Sequence, residues 1–217
     1  MDESQAPRGP GAIEQRSFAI IESEVPEPRP FQGAEWLVVR RLIHSSADFE
    51  LLSLVRFHPD AIRAGIGALL RGRLVVTDTE MARVGITRRR IDSLGADVNC
   101  FINEQAVATE AVKENATRSS VAVDYALPQL DGGIYVVGNA PTALLALLKR
   151  VREGKCRPAL IVGMPVGFVN AAESKEELGK QGDIPFITIE GRKGGSALAA
   201  AVINQLAELA LAEKGGR

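Results

Sequence analysis

The first third of the chain carries apolar residues at helical spacing. This pattern predicts one helix over residues 13–25 and a second over residues 33–44. A third helix is predicted to begin at Pro59, a favourable first helical position, and to end near Gly72. We therefore expect a helical section at the N-terminal side of the fold.

Beyond Gly72, short β-type runs alternate with helical stretches. Five strands are predicted, at residues 74–76, 98–102, 134–137, 160–162 and 186–189. The clearest helices of this part are predicted at residues 141–151, 171–178 and 196–212. Strands that alternate with helices indicate a parallel sheet covered on both faces. We expect one three-layer α/β/α domain over residues 11–217, preceded by a flexible tail over residues 1–10.

The composition narrows the class of protein. The chain has 217 residues, of which 46% are hydrophobic, and its 26 basic and 27 acidic residues nearly balance. This balance gives no support to a nucleic-acid or membrane-surface partner. No apolar run approaches the length of a membrane span, and the N-terminus has no apolar signal region. Two cysteines without a C-x-x-C motif disfavour a disulfide framework or a zinc site, so we expect a cytoplasmic protein.

The ends of the predicted strands carry the candidate chemistry. Ligands of open parallel sheets bind beyond the carboxyl ends of the strands. The segments that follow the strands are small, turn-forming or polar: residues 77–81, Asn103, 138–142, 163–170 and 191–196. Loops favour such residues for backbone reasons as well, so each segment alone has a structural explanation. Several of them at one edge favour a binding crevice there.

Two of these segments are rich in glycine. Residues 163–168, Gly-Met-Pro-Val-Gly-Phe, place two glycines and a proline around bulky apolar side chains, which is more than a simple turn requires. Asn170 and Glu173 then predict a capping box at the start of the next helix. The turn at Gly191 opens the last helix and predicts an anion site, to which Arg192 and Lys193 add charge. The alternative for this turn is a solvated basic loop.

Two polar residues stand at predicted helix ends. His44 ends the second helix, where the helix dipole favours a protonated imidazole and so suits a general acid. A lone histidine at a helix end is more often a capping group. Asp78, which follows the first predicted strand, is expected to cap the short helix after it.

Six segments, in order along the chain, resemble the motifs of the precorrin-8X methylmutase family. They are RLIHSSADF (residues 41–49), TDTEM (77–81), TRS (117–119), GNAPTAL (138–144), GMPVGFV (163–169) continuing to ESK (173–175), and GRKGGS (191–196). The resemblance runs from about residue 13 to residue 206, nearly the whole domain. It implies a flavodoxin-like sheet and a homodimer.

The resemblance also implies an activity in cobalamin biosynthesis. Members of the family shift a methyl group from C11 to C12 of precorrin-8X or cobalt-precorrin-8, giving hydrogenobyrinate or cobyrinate, with no redox cofactor and no resident metal. The motifs after His44 and near the C-terminus are more similar to those of the cobalt-precorrin-8 enzymes. By resemblance His44 is the catalytic residue. The expected substrate-binding residues are Ser17, Arg41, Thr117, Arg118, Gly163, Met164, Pro165, Val166, Gly167, Phe168, Arg192 and Lys193.

Two other functions stay open at the level of sequence. A non-catalytic corrinoid carrier would hand the product to the next enzyme, and it would share the anionic-macrocycle pocket without needing His44. A nucleotide- or flavin-binding module rests on analogy of fold alone. The sequence lacks a phosphate loop, and Gly65-Ile66-Gly67 lacks the third glycine of a dinucleotide fingerprint.

Overall fold

The structure of the protein, a computed structural model, describes residues 9–25 and 27–216. Its first half forms α1 (Pro10–Glu24), α2 (Gly33–Ser46), α3 (Leu51–Leu54), β1 (Val55–Phe57), α4 (Ala61–Leu70), β2 (Val75–Thr77), α5 (Glu80–Gly85), α6 (Arg88–Leu94) and β3 (Val98–Cys100). Its second half forms α7 (Gln105–Lys113), α8 (Arg118–Leu130), β4 (Ile134–Val137), α9 (Pro141–Arg152), β5 (Leu160–Gly163), α10 (Ala171–Lys180), β6 (Phe186–Ile189) and α11 (Ser196–Gly215).

Six strands form one sheet in the order β1-β6-β5-β4-β2-β3. The five strands expected from the sequence are present and pair in parallel, so the three-layer α/β architecture is confirmed. The sequence pattern missed β1, which pairs antiparallel with β6 at the edge of the sheet. This strand has three residues, Val-Arg-Phe, and a run so short shows no usable alternation.

The two faces of the sheet are covered by different helices. Buried residues of α2, α4 and α11 pack in one apolar core on one face. Buried residues of α8, α9 and α10 form a second core on the other. The carboxyl ends of the five parallel strands therefore open at an edge that both helical layers flank.

The last helix is longer and more apolar than the sequence pattern led us to expect of any segment in the chain. α11 has 20 residues, and by length and composition it could cross a membrane, although the sequence pattern showed no run of that kind. Most of its apolar surface, including Leu198, Val202 and Leu206, is buried in the first core. Its hydrophobicity is thus explained by its central place in the fold.

Two expectations about segment ends, those for Pro59 and for Asn170, are wrong. Helix α4 begins at Ala61, so Pro59 precedes the helix instead of opening it. Asn170 does precede α10, but its backbone is left-handed (φ 60°) and its side chain makes no capping hydrogen bond, so the capping box with Glu173 is absent. Helix α1 begins at Pro10, inside the tail expected over residues 1–10. Residues 1–8 lie outside the described part of the chain.

Asp78 joins two strand ends instead of capping a helix. Its Oδ1 accepts a hydrogen bond from the Gly138 amide (2.8 Å), and its Oδ2 accepts from the amides of Asn139 (2.9 Å) and Ala140 (2.7 Å). Thr79 is the residue that caps α5. Burial raises the pKa of the Asp78 carboxyl, and the backbone N–H groups of residues 138–140 oppose that shift. Asp78 therefore fixes the loop after β4 to the end of β2.

Replacing this carboxylate should destabilise the whole domain. In Asp78→Asn the amide NH₂ would face backbone N–H groups that need an acceptor, so we expect the free energy of unfolding to fall by about 3 kcal/mol. Chemical denaturation measures this change. The matched control Asp92→Asn removes an exposed carboxylate paired with Arg88 and should cost less than about 1 kcal/mol. Equal, small effects of both substitutions would contradict the role given to Asp78.

Candidate active site

Two strand-end loops, residues 163–168 after β5 and 191–195 after β6, lie against each other; we call them the paired loops. The Gly195 amide donates to the Met164 carbonyl (2.9 Å), and the Gly167 amide donates to the Arg192 carbonyl (3.2 Å). A Cβ added at Gly194 would lie 2.3 Å from the Met164 carbonyl oxygen, closer than real side chains ever come. The glycine in this loop thus permits direct contact between two backbones.

The apolar side chains of the first paired loop divide into two sets. Met164 and Pro165 are buried, so they anchor the loop in the protein. Val166 and Phe168 are exposed, Phe168 by 83%, and the Arg192 guanidinium lies 5.4 Å from the Phe168 ring centroid. Of the apolar residues that the sequence places in this loop, Val166 and Phe168 therefore face solvent.

His44 lies in the last turn of α2 and faces α1. Its ring centroid is 5.1 Å from that of Phe18, which holds one side of the imidazole. A cavity of about 230 Å³ opens beside it, lined by Ser17, Ile20, Ile21, Glu24, Ile43, His44, Ala47 and Phe49. The structure thus brings together Ser17 and His44, two of the residues expected in the site.

Arg41 lies one turn before His44 but is bound to other protein groups. Its side chain is buried and contacts Gln205 Oε1 (2.6 Å), Glu14 Oε1 (3.0 Å) and Glu208 Oε2 (2.7 Å). These contacts tie α1, α2 and α11 together. Arg41 therefore has a structural role in this chain, while its expected contact with substrate stays a prediction.

Thr117 and Arg118 lie at the start of α8, on the face of the sheet opposite to α2. Thr117 caps the helix by accepting a hydrogen bond from the Ser120 amide, and its hydroxyl donates to that of Thr142 at the start of α9 (3.0 Å). Arg118 is exposed. Among residues 9–25 and 27–216 its guanidinium has no hydrogen-bond or ion-pair partner, so the charge is available at the strand-end edge.

Lys193 differs from its neighbour Arg192. The exposed Arg192 has no carboxylate partner within the described chain, whereas Lys193 Nζ contacts Asp48 Oδ2 and Glu50 Oε2, each at 2.6 Å. These carboxylates raise the pKa of Lys193, and the bond from Lys193 holds the pKa of Asp48 below its usual value. The sequence predicted an anion site with two cations at this turn, and only Arg192 of the two has a charge that faces solvent without a carboxylate partner in the described chain.

Sequence reasoning missed one buried lysine beside the paired loops. Lys175 of α10 is only 3% exposed, and its Nζ donates to the Lys193 carbonyl (2.6 Å). Burial lowers the pKa of Lys175 to about 8. The residue lies in the ESK segment that carries the family resemblance, which was the available signal.

A larger cavity is lined by other residues than the histidine cavity. It has about 570 Å³ and is bounded by α10, by the edge strand β1 and by its neighbour β6, with Arg56, Glu176 and Lys180 at its rim. Gly191 and the buried Lys175 line it, but His44 and the substrate-binding residues expected from the sequence do not. The smaller cavity, which holds His44, is therefore the candidate active site.

The direction of α2 places this site at the strand-end edge. Arg41 contacts Gln205, in the middle of α11, whereas Asp48, just beyond α2, contacts Lys193, just before α11. The two helices thus run antiparallel, and the end of α2 that carries His44 approaches the loops after the strands. The histidine cavity and the paired loops are neighbouring parts of one edge.

Comparisons with known proteins show the family to which the chain belongs. A cobalt-precorrin-8 methylmutase of Priestia megaterium is 47% identical over 201 residues, which are 93% of this chain and 88% of that protein. A precorrin-8X methylmutase of Pseudomonas aeruginosa is 42% identical over 197 residues, covering 90% and 94% of the two chains. A solved precorrin-8x methyl mutase of Thermus thermophilus has a TM-score of 0.88 at 43% identity, covering 94% and 98%. The precorrin-8X methylmutase family model matches residues 12–209, and the chain belongs to that family.

Proposed function

We propose that the protein is an isomerase that moves a methyl group from C11 to C12 of precorrin-8X or cobalt-precorrin-8. The product would be hydrogenobyrinate or cobyrinate, respectively. Membership of the methylmutase family over residues 12–209 carries this proposal. The cavity that holds His44 at the strand-end edge supports it, because this edge is where parallel α/β sheets bind ligands.

The proposed reaction needs little chemistry from the protein. A methyl shift within one molecule adds and removes no atoms, so one proton donor that activates the macrocycle can suffice. His44 is that donor in our proposal, since it lines the cavity and is held by Phe18. Binding that favours the rearranged conjugated system would lower the barrier further.

The substrate class fits the charges and the apolar surface at this edge. A corrin precursor is a wide apolar ring fringed with acetate and propionate carboxylates. Arg118 and Arg192 offer exposed guanidinium groups, which bind carboxylates in a bidentate manner. Val166 and Phe168 offer apolar surface next to Arg192. We propose that the ring lies on this surface with its carboxylates on the arginines.

We further propose that the protein works as a homodimer. The histidine cavity has about 230 Å³, below the roughly 300–1,000 Å³ of sites that enclose even a drug-sized ligand. One face of α1 carries Ser17 at this cavity together with Ile13 and Ile20, which are 54% and 48% exposed. A second chain packed on this face would bury the isoleucines and complete the site.

A non-catalytic corrinoid carrier is the alternative function. It would use the same surface and arginines but would leave the substrate unchanged. The family names of the relatives favour the enzyme. Rates measured with both the metal-free and the cobalt-containing substrate also test the resemblance to the cobalt-precorrin-8 enzymes.

His44→Ala should abolish most of the turnover. Loss of a general acid costs roughly 10²–10⁴ in rate, and this change should leave product affinity nearly unaltered because the arginines remain. The wild-type protein and the variant are compared under the same conditions. Visible absorbance follows both reactions.

The other histidine supplies the control for this experiment. His58 follows β1, which runs antiparallel to β6, so it lies at the end of the sheet opposite to the strand-end loops. Its Nδ1 accepts a hydrogen bond from the Asp60 amide. We therefore expect His58→Ala to keep the wild-type turnover. A folded His44→Ala protein with the wild-type rate would exclude the proposed mechanism. Unchanged substrate in the presence of the wild-type protein would favour the carrier.

Arg118→Ala should weaken product binding. One charge-assisted contact to a carboxylate is worth about 1.5–3 kcal/mol, so the dissociation constant should rise roughly ten- to a hundredfold. Titration of the product, followed by its absorbance, measures this constant. Arg63→Ala, at an exposed arginine of α4 paired with Asp60, is the control and should leave the constant unchanged. Equal affinities of the two variants would reject Arg118 as a contact.

The homodimer should dissociate when a charge is placed on the exposed face of α1. Sedimentation of the wild-type protein at micromolar concentration should give twice the mass of the chain, and Ile13→Glu should shift it towards that of one chain because a buried unpaired charge is costly. Val112→Glu changes a residue of α7 that is 84% exposed and should have no effect. A fully active wild-type monomer would contradict the proposed assembly.

A further inference from the structure

Lys193 is the residue at which three segments of the site meet. Its side chain reaches the segment after α2 through Asp48 and Glu50. Its backbone carbonyl accepts from the buried amine of Lys175 on α10. Its neighbours Arg192 and Gly195 bond to the first paired loop, so Lys193 is held from both sides.

The two carboxylates that Lys193 binds flank Phe49. This aromatic residue lines the histidine cavity, and Ala47 before it also lines that cavity. Asp48 Oδ1 accepts from the Glu50 amide (3.0 Å), so both carboxylates belong to one tight turn. A displacement of this turn would therefore move the wall opposite α1 and the end of the helix that carries His44.

The charge balance around Lys193 argues against a direct role in substrate binding. One ammonium contacts two carboxylates at 2.6 Å, which leaves the cluster with a net charge of −1. The ammonium is thus already neutralised and has no charge to spare for a ligand fringed with carboxylates. Arg192, whose guanidinium faces solvent beside Phe168, is the better partner for such a ligand.

We propose that Lys193 is a positioning residue that fixes the histidine-bearing end of α2 against the paired loops. It acts through Asp48 and Glu50, and it sets the spacing between His44 and the surface on which the ring lies. The proposal rests on the isomerase function given above. It assigns Lys193 a different part from the substrate contact implied by the family resemblance.

Three variants test this role in the full-length protein. Lys193→Met keeps the length of the side chain without its charge, Lys193→Arg restores a cation, and the double variant Asp48→Asn/Glu50→Gln removes the partners. Because a small misplacement of catalytic groups lowers the rate strongly, we expect kcat to fall about ten- to a hundredfold in Lys193→Met and in the double variant. KM and product affinity should change little, and Lys193→Arg should recover most of kcat.

A mutant cycle separates positioning from substrate contact. If Lys193 acts through its two partners, the triple variant should lose no more activity than either parent, since coupled residues are not additive. The proposal would be overturned if Lys193→Met raised KM while the double variant Asp48→Asn/Glu50→Gln left kcat and KM unchanged. That result would show that Lys193 contacts the substrate. Unchanged kcat in Lys193→Met would overturn it as well.

Histidine NMR gives a readout that does not depend on turnover. The chain has two histidines, so the ring signals of His44 and His58 can be followed separately. In Lys193→Met the His44 signals should shift and those of His58 should stay, with recovery in Lys193→Arg. Unaltered His44 signals would count against the proposal even if kcat fell. Failure of the proposed function is distinguishable, because it would show as a wild-type protein that leaves both precorrin-8X and cobalt-precorrin-8 unchanged.

Discussion

The candidate site depends on the contact between the backbones of the two paired loops. At Gly194 the chain comes so close to the carbonyl of Met164 that no side chain can be accommodated. The contact is closed by the amides of Gly167 and Gly195, which donate across it. Because β5 and β6 are neighbours in the sheet, this pairing turns two separate strand ends into one rigid surface. The positions of Phe168, Arg192 and Lys193 follow from it.

The cationic side chains near this edge fall into two groups, those free to bind a ligand and those that stabilise the protein. Arg118 and Arg192 face solvent, whereas Arg41 and Lys193 are held by carboxylates of the protein. A buried guanidinium with two carboxylates and an amide is a structural group, and it secures α1 and α2 to α11. An enzyme for a polyanionic ring needs both kinds of cation, since an unsupported site would move when the ligand binds. Whether a cation binds ligand or supports the fold follows from its partners in the structure, and the residue type alone does not tell the two apart.

Much of the fold could be predicted from the sequence because its strands and helices have clear periods. The five parallel strands and the ends of α2 and α9 lie within about two residues of their predicted positions. The pattern failed for β1, which is short, and for Asp78, whose partners lie 60 residues away in the chain. A carboxylate after a strand is typical of a helix cap, and local sequence gives no sign of a long-range acceptor.

The site, like the fold, could be predicted from the sequence only in part. His44 and Ser17 could be assigned to one place by resemblance, and the structure does place both in one cavity. The partners of Lys193 could not be predicted, because the acidic residues at positions 48 and 50 lie more than 140 residues before it in the chain. The antiparallel packing of α2 and α11 brings Asp48 and Glu50 to Lys193, and this packing is a property of the tertiary structure.

The central claim is that this chain rearranges its substrate without adding or removing an atom. The measurement that tests it incubates the purified protein with precorrin-8X and, separately, with cobalt-precorrin-8, and records the visible spectrum and the mass of the tetrapyrrole over time. We expect a changed spectrum at an unaltered mass, with a rate that depends on His44. A spectrum that stays that of the substrate, or a product of different mass, would contradict it.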